Sequence, residues 1–177
     1  MRAVILLIFV LLFVKTSATE QSGDRLIYKS DTIYIYTYPL DTLIKIFPPL
    51  EKRILNYSNT ICTSTACWRG YIGTWIIQND SLYLSKLTNG CENYIFKLNW
   101  LFKMRKTEKG KVFADWFSGE IEEEYDNRET QINGGELYLN VPTKRFVAKI
   151  KDGKVIEIKT ENIQYDKVDL PIKIKRI

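Results

Sequence analysis

Short β-prone runs limit this chain to one broad class of fold. Isoleucine, tyrosine, threonine and valine recur in runs of a few residues, and glycine, asparagine, aspartate or serine interrupts them roughly every ten residues. That spacing is typical of hairpins. The sequence therefore predicts a mainly β fold, an antiparallel sandwich or small barrel built from hairpins. The predicted strands cover 25–29, 32–38, 70–77, 81–88, 111–118, 135–141, 145–151, 154–160 and, more weakly, 171–176.

One or two short helices complete the predicted fold. The first lies near 40–47 and is expected to end at Pro48-Pro49, because proline lacks the N–H that a helix interior uses. The second lies near 97–104. The acidic run 122–126 follows the predicted strand 111–118 and predicts a solvated face.

The clearest hairpin is "KRFVAKIKDGKVIEIKT". Alternate residues from Phe146 to Ile150 are apolar and share one face of the first strand, as Ile156 and Ile158 do on the second. A two-residue Asp-Gly turn would set these two groups on opposite faces of the hairpin. The sequence therefore predicts an odd-length loop, with Gly153 left-handed at a bulge.

The amino end has the layout of a secretory signal peptide. Met1-Arg2 precedes twelve apolar residues, 3–14, and small residues follow Lys15. A membrane-spanning helix needs about 20 apolar residues. We therefore predict a cleaved signal peptide over 1–18 and a single β-rich domain over 19–177. The mature protein is expected to be exported, periplasmic or secreted, with no integral membrane segment.

The charges and the missing histidines exclude several functions. The formal net charge is +5, but the basic residues are scattered, whereas nucleic-acid binding favours a concentrated basic face. The chain has 0 histidines, so histidine-based triads and histidine-ligated zinc are excluded. We predict no cofactor and no metal. The expected partner is an unidentified envelope protein or a glycan.

Three cysteines, Cys62, Cys67 and Cys91, allow one disulfide. A hairpin that turns at Asn79-Asp80 brings Cys67 and Cys91 to within one residue of facing each other. In an oxidising compartment we expect these two to pair, closing a loop of about 25 residues and adding roughly 3 kcal/mol of stability. Pairing of Cys62 with Cys67 and three free thiols are the alternatives.

The block "STACWRGYIGTW" carries the candidate binding site. Its arginine is suited to holding an anion, and its tryptophans are suited to stacking on a ligand. A β core with a surface arginine is the alternative, and a nucleophilic Cys67 activated by the arginine is another. The predicted ligand-binding residues are Trp68, Arg69, Trp75, Asp115 and Trp116.

Asp115 also suggests a catalytic alternative. In "KVFADWFSGEIEEEYD" this aspartate is predicted to lie among aromatic residues, where burial would raise its pKa toward that of a general acid. Glu120 is the candidate second carboxylate of a hydrolase. Their odd separation places them on opposite faces of an unbroken strand, so the pair requires a bulge at Ser118-Gly119.

The sequence blocks resemble those of a family of uncharacterised exported bacterial proteins. "DRLIY…DT…PL", "TACWRGYIGTW…LYLSKL" and "GKVFADWFSGEI" are similar to blocks that occur in this order in that family, over most of residues 24–121. The resemblance implies export and a shared fold, but no activity and no catalytic residue. Gly73-Thr74-Trp75 is similar to the Gly-x-Trp motif of lipocalins, which lies on the first strand in that family, whereas predicted strands precede it in this chain.

These observations favour a non-enzymatic, exported binding or interaction module of the cell envelope. The alternative hypothesis is a carboxylate-dependent hydrolase of envelope polysaccharide that uses Asp115 and Glu120.

Overall fold

The computed structural model describes residues 21–56, 62, 64–103, 105, 107–131 and 138–164. The predicted signal peptide and the predicted strand at 171–176 lie outside these residues. The elements are β1 (Asp24–Tyr28), β2 (Asp31–Ile35), α1 (Pro39–Ile46), α2 (Pro49–Leu55), β3 (Tyr71–Ile77), β4 (Leu82–Asn89), α3 (Leu98–Leu101), β5 (Thr107–Glu108), β6 (Lys111–Phe113), β7 (Gly119–Gln131), β8 (Tyr138–Lys151) and β9 (Lys154–Asn162).

Two β-sheets form the body of the described structure. The first has six strands in the order β2-β1-β3-β4-β6-β5, and the second has the order β7-β8-β9. All pairings are antiparallel except that of β1 with β3, which the long connection through α1 and α2 permits. Neither sheet closes into a barrel within the described residues. The prediction of a mainly β, sandwich-like fold with few helices is therefore confirmed.

The two sheets share one apolar core. Trp75 from β3 and Phe146 from β8 are both fully buried and belong to the same cluster of buried side chains. The ring of Tyr28 on β1 lies 5.2 Å from that of Phe146. Backbone hydrogen bonds also join the sheets, because the Leu82 N–H donates to the Gly153 carbonyl over 2.8 Å. Apolar burial of this kind is the main stabilising contribution to such a fold.

The proline pair begins a helix as well as following one. α1 ends at Ile46, as predicted, but Pro49 then occupies the start of α2, which the sequence did not predict. The first N–H groups of a helix have no partner within it, so a proline costs nothing there. None of the helices in the described part of the chain reaches the length and apolarity that crossing a bilayer requires.

The strand predicted over 111–118 is wrong in its second half. β6 ends at Phe113, and the chain then turns, with the Phe117 N–H donating to the Ala114 carbonyl. The acidic run belongs instead to the long strand β7, which pairs with β8. Ile121 at its start is fully buried, whereas Glu122 forms an ion pair with Arg145 on β8. Opposite charges on β8 thus stabilise β7, a strand that its acidic composition did not predict.

The predicted odd-length loop between β8 and β9 is wrong. Lys151 pairs with Lys154 across a two-residue turn, and a bulge lies further along, between the pairs Lys149–Glu157 and Ile150–Val155. This bulge leaves Ile156 without a partner and 66% exposed, so it does not share an inward face with Ile158. The extra residue in the bulge offsets the one-residue shift in strand register that a two-residue turn alone would produce. Gly153 is left-handed, as predicted, with φ of 74°.

Gly153 fixes the hairpin tip against the first sheet. A Cβ at this position would lie 2.7 Å from the Ala114 carbonyl oxygen, whereas a Cβ at Gly110, which also has positive φ, would meet nothing within 4 Å. We expect Gly153→Ala to lower the free energy of unfolding by about 1–3 kcal/mol more than Gly110→Ala, because only the first adds overpacking to backbone strain. Urea denaturation of both variants measures this difference, and equal losses would contradict the docking of the tip.

Candidate functional site

Three residues of the block "WRGYIGTW" converge on a buried carboxylate. Asp24, at the start of β1, is fully buried and accepts hydrogen bonds from the Gly73 N–H at 3.0 Å and the Trp75 Nε1 at 2.9 Å. Arg69 Nη2 donates to the same carboxylate at 3.1 Å. Burial raises the pKa of Asp24 above its ordinary value, and Arg69 and the two N–H donors oppose that rise. Asp24 is therefore the centre of a buried polar cluster.

The Gly-x-Trp spacing has a local structural cause. Gly73 and Trp75 lie on the same side of β3, since side chains alternate along a strand. A Cβ at Gly73 would lie 2.8 Å from Asp24 Oδ2 and 2.8 Å from Trp75 Nε1. The glycine leaves room for the carboxylate, and the tryptophan two residues later donates to it. Sequence reasoning missed Asp24, although an indole N–H on an inward strand face needs an acceptor.

Arg69 is enclosed rather than presented to a ligand. Its side chain is 6% exposed, and its guanidinium carbon lies 3.7 Å from the ring centroid of Tyr38 and 4.9 Å from that of Tyr71. Arg69 Nη1 has no hydrogen-bond partner in the described residues. It forms an ion pair with the Asp41 carboxylate, whose oxygen lies 3.7 Å away. The arginine therefore neutralises Asp24, and its burial argues against the predicted role as an anion clamp.

The predicted tryptophans lie in different surroundings, although the rings of Trp75 and Trp116 contact each other with centroids 6.4 Å apart. Trp75 is buried, whereas Trp68, one residue before Arg69, is 70% exposed. Trp116 donates from Nε1 to the Pro39 carbonyl at 2.9 Å and stacks parallel to Phe102, with centroids 6.2 Å apart. Two of these rings therefore belong to the packed interior and its edge, and one to the solvent-facing turn.

The predicted Cys67–Cys91 disulfide is wrong, because Cys62 pairs with Cys91 at a Cα–Cα distance of 5.5 Å. The β3–β4 hairpin does turn at Asn79-Asp80. Its pairing ends near Gly70, whose N–H donates to the Cys67 carbonyl in a turn, so the register of the hairpin does not extend to Cys67. A Cβ at Gly90 would lie 3.0 Å from Cys67 Sγ, so Cys67 packs beside the residue that precedes Cys91. Cys67 is a buried free thiol, and burial raises its pKa. A reactive thiolate is therefore disfavoured at Cys67.

A large cavity lies elsewhere, between the helices and the outer end of the first sheet. It has a volume of about 800 Å³, within the range of about 300–1,000 Å³ that is typical of small-molecule sites. Seven apolar and three charged side chains line it. The apolar ones come from α1, α2, α3 and β6, or directly follow α1 and α3: Leu43, Ile46, Phe47, Leu50, Leu101, Phe102 and Phe113.

Two arginines and one aspartate supply the charge of this cavity. Arg105 forms an ion pair with Asp115 and lies 4.8 Å above the ring of Trp116. Arg53 lies 5.5 Å above the ring of Phe47 and donates to the Leu101 carbonyl at 3.2 Å. Within the described residues Arg53 makes no ion pair. The cavity therefore combines an apolar body with one arginine that pairs with no carboxylate in the part of the chain that the structure describes.

The two carboxylates of the hydrolase hypothesis lie in different surroundings. Asp115 is exposed and paired with Arg105 at the cavity. Glu120 lies on β7 opposite Lys149 and is not among the residues that line the cavity. The described residues contain no group of three histidine, cysteine, aspartate or glutamate side chains placed to hold a metal ion.

Comparison of the chain with family models, curated proteins and solved structures gives no match. The resemblance to a family of exported bacterial proteins therefore stays a prediction.

The Asp24 cluster is expected to dominate stability. Asp24→Asn keeps the shape of the side chain but leaves the buried Arg69 with only the more distant Asp41, at 3.7 Å, to offset its charge. Breaking a buried ion pair in this way typically costs about 3–5 kcal/mol. Arg25→Ala, one residue along the chain from Asp24, is the matched control, because it breaks a partly exposed ion pair with Glu92. This variant should lower the free energy of unfolding by less than about 1 kcal/mol. Urea denaturation compares the two, and similar losses would contradict a structural role for Asp24.

Thiol labelling tests the cysteine arrangement. Without reductant, iodoacetamide should label none of the cysteines in the folded protein and only Cys67 after unfolding in urea, because Cys67 is buried and the other two are paired. Reduction should expose all of them. Mass spectrometry of labelled peptides identifies the sites, and Cys67→Ser should show no labelling before reduction. Labelling of Cys91 in the unreduced chain would disprove the pairing.

Proposed function

We propose that this protein is a non-enzymatic binding protein that holds a small amphipathic anion, a chain-like apolar molecule with a carboxylate or similar head group. The observation that carries this proposal is the apolar cavity beside Arg53. An apolar lining favours an apolar ligand body. An arginine without an ion pair in the described residues favours an anionic head.

Arg53 is well placed to recognise such a head group. Its stacking on Phe47 and its hydrogen bond to the Leu101 carbonyl hold the guanidinium at the cavity. A guanidinium carries five N–H donors, and this carbonyl accepts from one atom, Nη1. The remaining donors suit a two-pronged contact with a carboxylate.

Export is part of the proposal. The Cys62–Cys91 disulfide fits a protein of an oxidising compartment, and the amino end predicts a signal peptide. The ligand site beside Arg53 replaces the one first predicted around Trp68 and Arg69. Because Asp115 and Glu120 do not both line the cavity, we take the hydrolase hypothesis no further.

Dodecanoate and dodecanol are the probes for this function. They share an apolar chain and differ in charge, so isothermal titration calorimetry with both separates the two parts of the site. Arg53→Met removes the charge and keeps an apolar stem. We expect it to weaken dodecanoate binding about 10- to 100-fold, as loss of a charge-assisted hydrogen bond does, and to leave dodecanol binding unchanged.

Two further variants complete this experiment. Arg53→Lys keeps the charge without the forked geometry and should lie between Arg53→Met and the unmodified protein. Ile46→Trp should weaken both probes by occupying the cavity mouth. Absence of dodecanoate binding, or equal binding by Arg53→Met, would contradict the proposed function.

A further inference from the structure

We propose that the helical face around the cavity mouth docks on an anionic lipid bilayer surface. This helical face consists of residues 39–55, 97–103 and 105, which contain α1, α2 and α3. Apolar and aromatic side chains flanked by lysine and arginine are the features that hold proteins at the headgroup layer of a membrane. The helical face has both.

Large apolar side chains are exposed along this face. Ile46 is 66% exposed, Phe47 is 41% exposed and Trp100 is 40% exposed. Ile46 and Phe47 line the cavity, and Trp100 directly precedes the cavity-lining Leu101 in α3. Arg53 joins the two regions, because it stacks on Phe47 and donates to the Leu101 carbonyl. An aromatic ring such as that of Trp100 favours the bilayer interface.

The fold gathers positive charge in the same segments, although the basic residues are scattered along the sequence. Together they contain six basic residues and two acidic ones, so they hold most of the formal net charge of +5 of the whole chain. Lys45 and Lys52 are exposed, and Lys103 Nζ lies 5.7 Å from the ring centroid of Trp100. Asp115, outside these segments, offsets Arg105 alone. Charge complementarity therefore points to an anionic surface as the partner.

The location of the cavity relates membrane docking to ligand binding. Ile46 and Phe47 both line the cavity and stand exposed at its rim. A bilayer touching this rim would deliver an amphipathic anion to the cavity without passage through water. Delivery of the ligand rests on the proposed function, whereas docking on the bilayer does not depend on it. Vesicles test docking, and dodecanoate without vesicles tests the ligand site, so failure of one is distinguishable from failure of the other.

Vesicle co-sedimentation tests the proposal. The full mature protein should sediment with phosphatidylcholine vesicles that contain phosphatidylglycerol and remain in solution with phosphatidylcholine alone. Raising the salt concentration should release it. The double variant Lys45→Glu, Lys52→Glu should weaken partitioning by roughly 30-fold or more, since each basic residue near an anionic surface contributes about a fivefold effect. Trp100→Ser should weaken it about tenfold through lost apolar burial.

Matched controls lie outside the helical face. Trp68→Ser removes a tryptophan that is 70% exposed, and the double variant Lys86→Glu, Lys151→Glu reverses two exposed charges on β4 and β8. Both should bind the anionic vesicles like the unmodified protein. All variants are at exposed positions, and circular dichroism confirms their folding. Equal binding to both vesicle types, binding to neither, or equal losses in controls and helical-face variants would overturn the proposal.

Discussion

The buried Asp24–Arg69 ion pair is the interaction on which the rest of the structure depends. Asp24 begins β1, while Gly73 and Trp75, which donate to it, lie on β3. The carboxylate therefore links the parallel pair β1–β3 of the six-stranded sheet. A buried charge is tolerated only when it is paired and hydrogen-bonded. The surrounding residues satisfy that condition with one arginine, one indole and one backbone N–H.

This buried cluster also places the wall of the cavity. Tyr71, stacked on Arg69, donates its hydroxyl to Asp41 in the first turn of α1. Trp116 donates to the carbonyl of Pro39, the first residue of α1. Both contacts hold the start of α1 against the sheet, so the rest of α1 can project Ile46 and the cavity-lining side chains toward α2 and α3. The cluster is thus structural, and the proposed binding site lies toward the other end of α1, at Leu43 and Ile46.

The sequence predicted the strands wherever turn residues and apolar alternation agreed, as in the hairpin from β3 to β4. It missed β7 because glutamate is uncommon in strands. The arginine and lysine that stabilise these glutamates lie on β8, too far along the sequence for a local pattern to reveal the pairing. It paired Cys67 with Cys91 because the register of the β3–β4 hairpin was extended as far as Cys67, whereas a turn that ends at Gly70 interrupts it. It identified Arg69 and Trp75 as important but assigned them to a surface, since local sequence does not contain the distant Asp24. The cavity joins residues from 43 to 115, which no local pattern reveals.

Nuclear magnetic resonance with ¹³C-labelled dodecanoate tests the central claim most directly. If the cavity between the helices and β6 is the ligand site, intermolecular Overhauser effects should connect the acyl chain to the rings of Phe47, Phe102 and Phe113. The C2 methylene protons next to the carboxylate should show Overhauser effects to the Arg53 side chain. Contacts confined to Trp68 and its neighbours would instead restore the surface first predicted from the sequence, and would contradict a ligand site in the cavity.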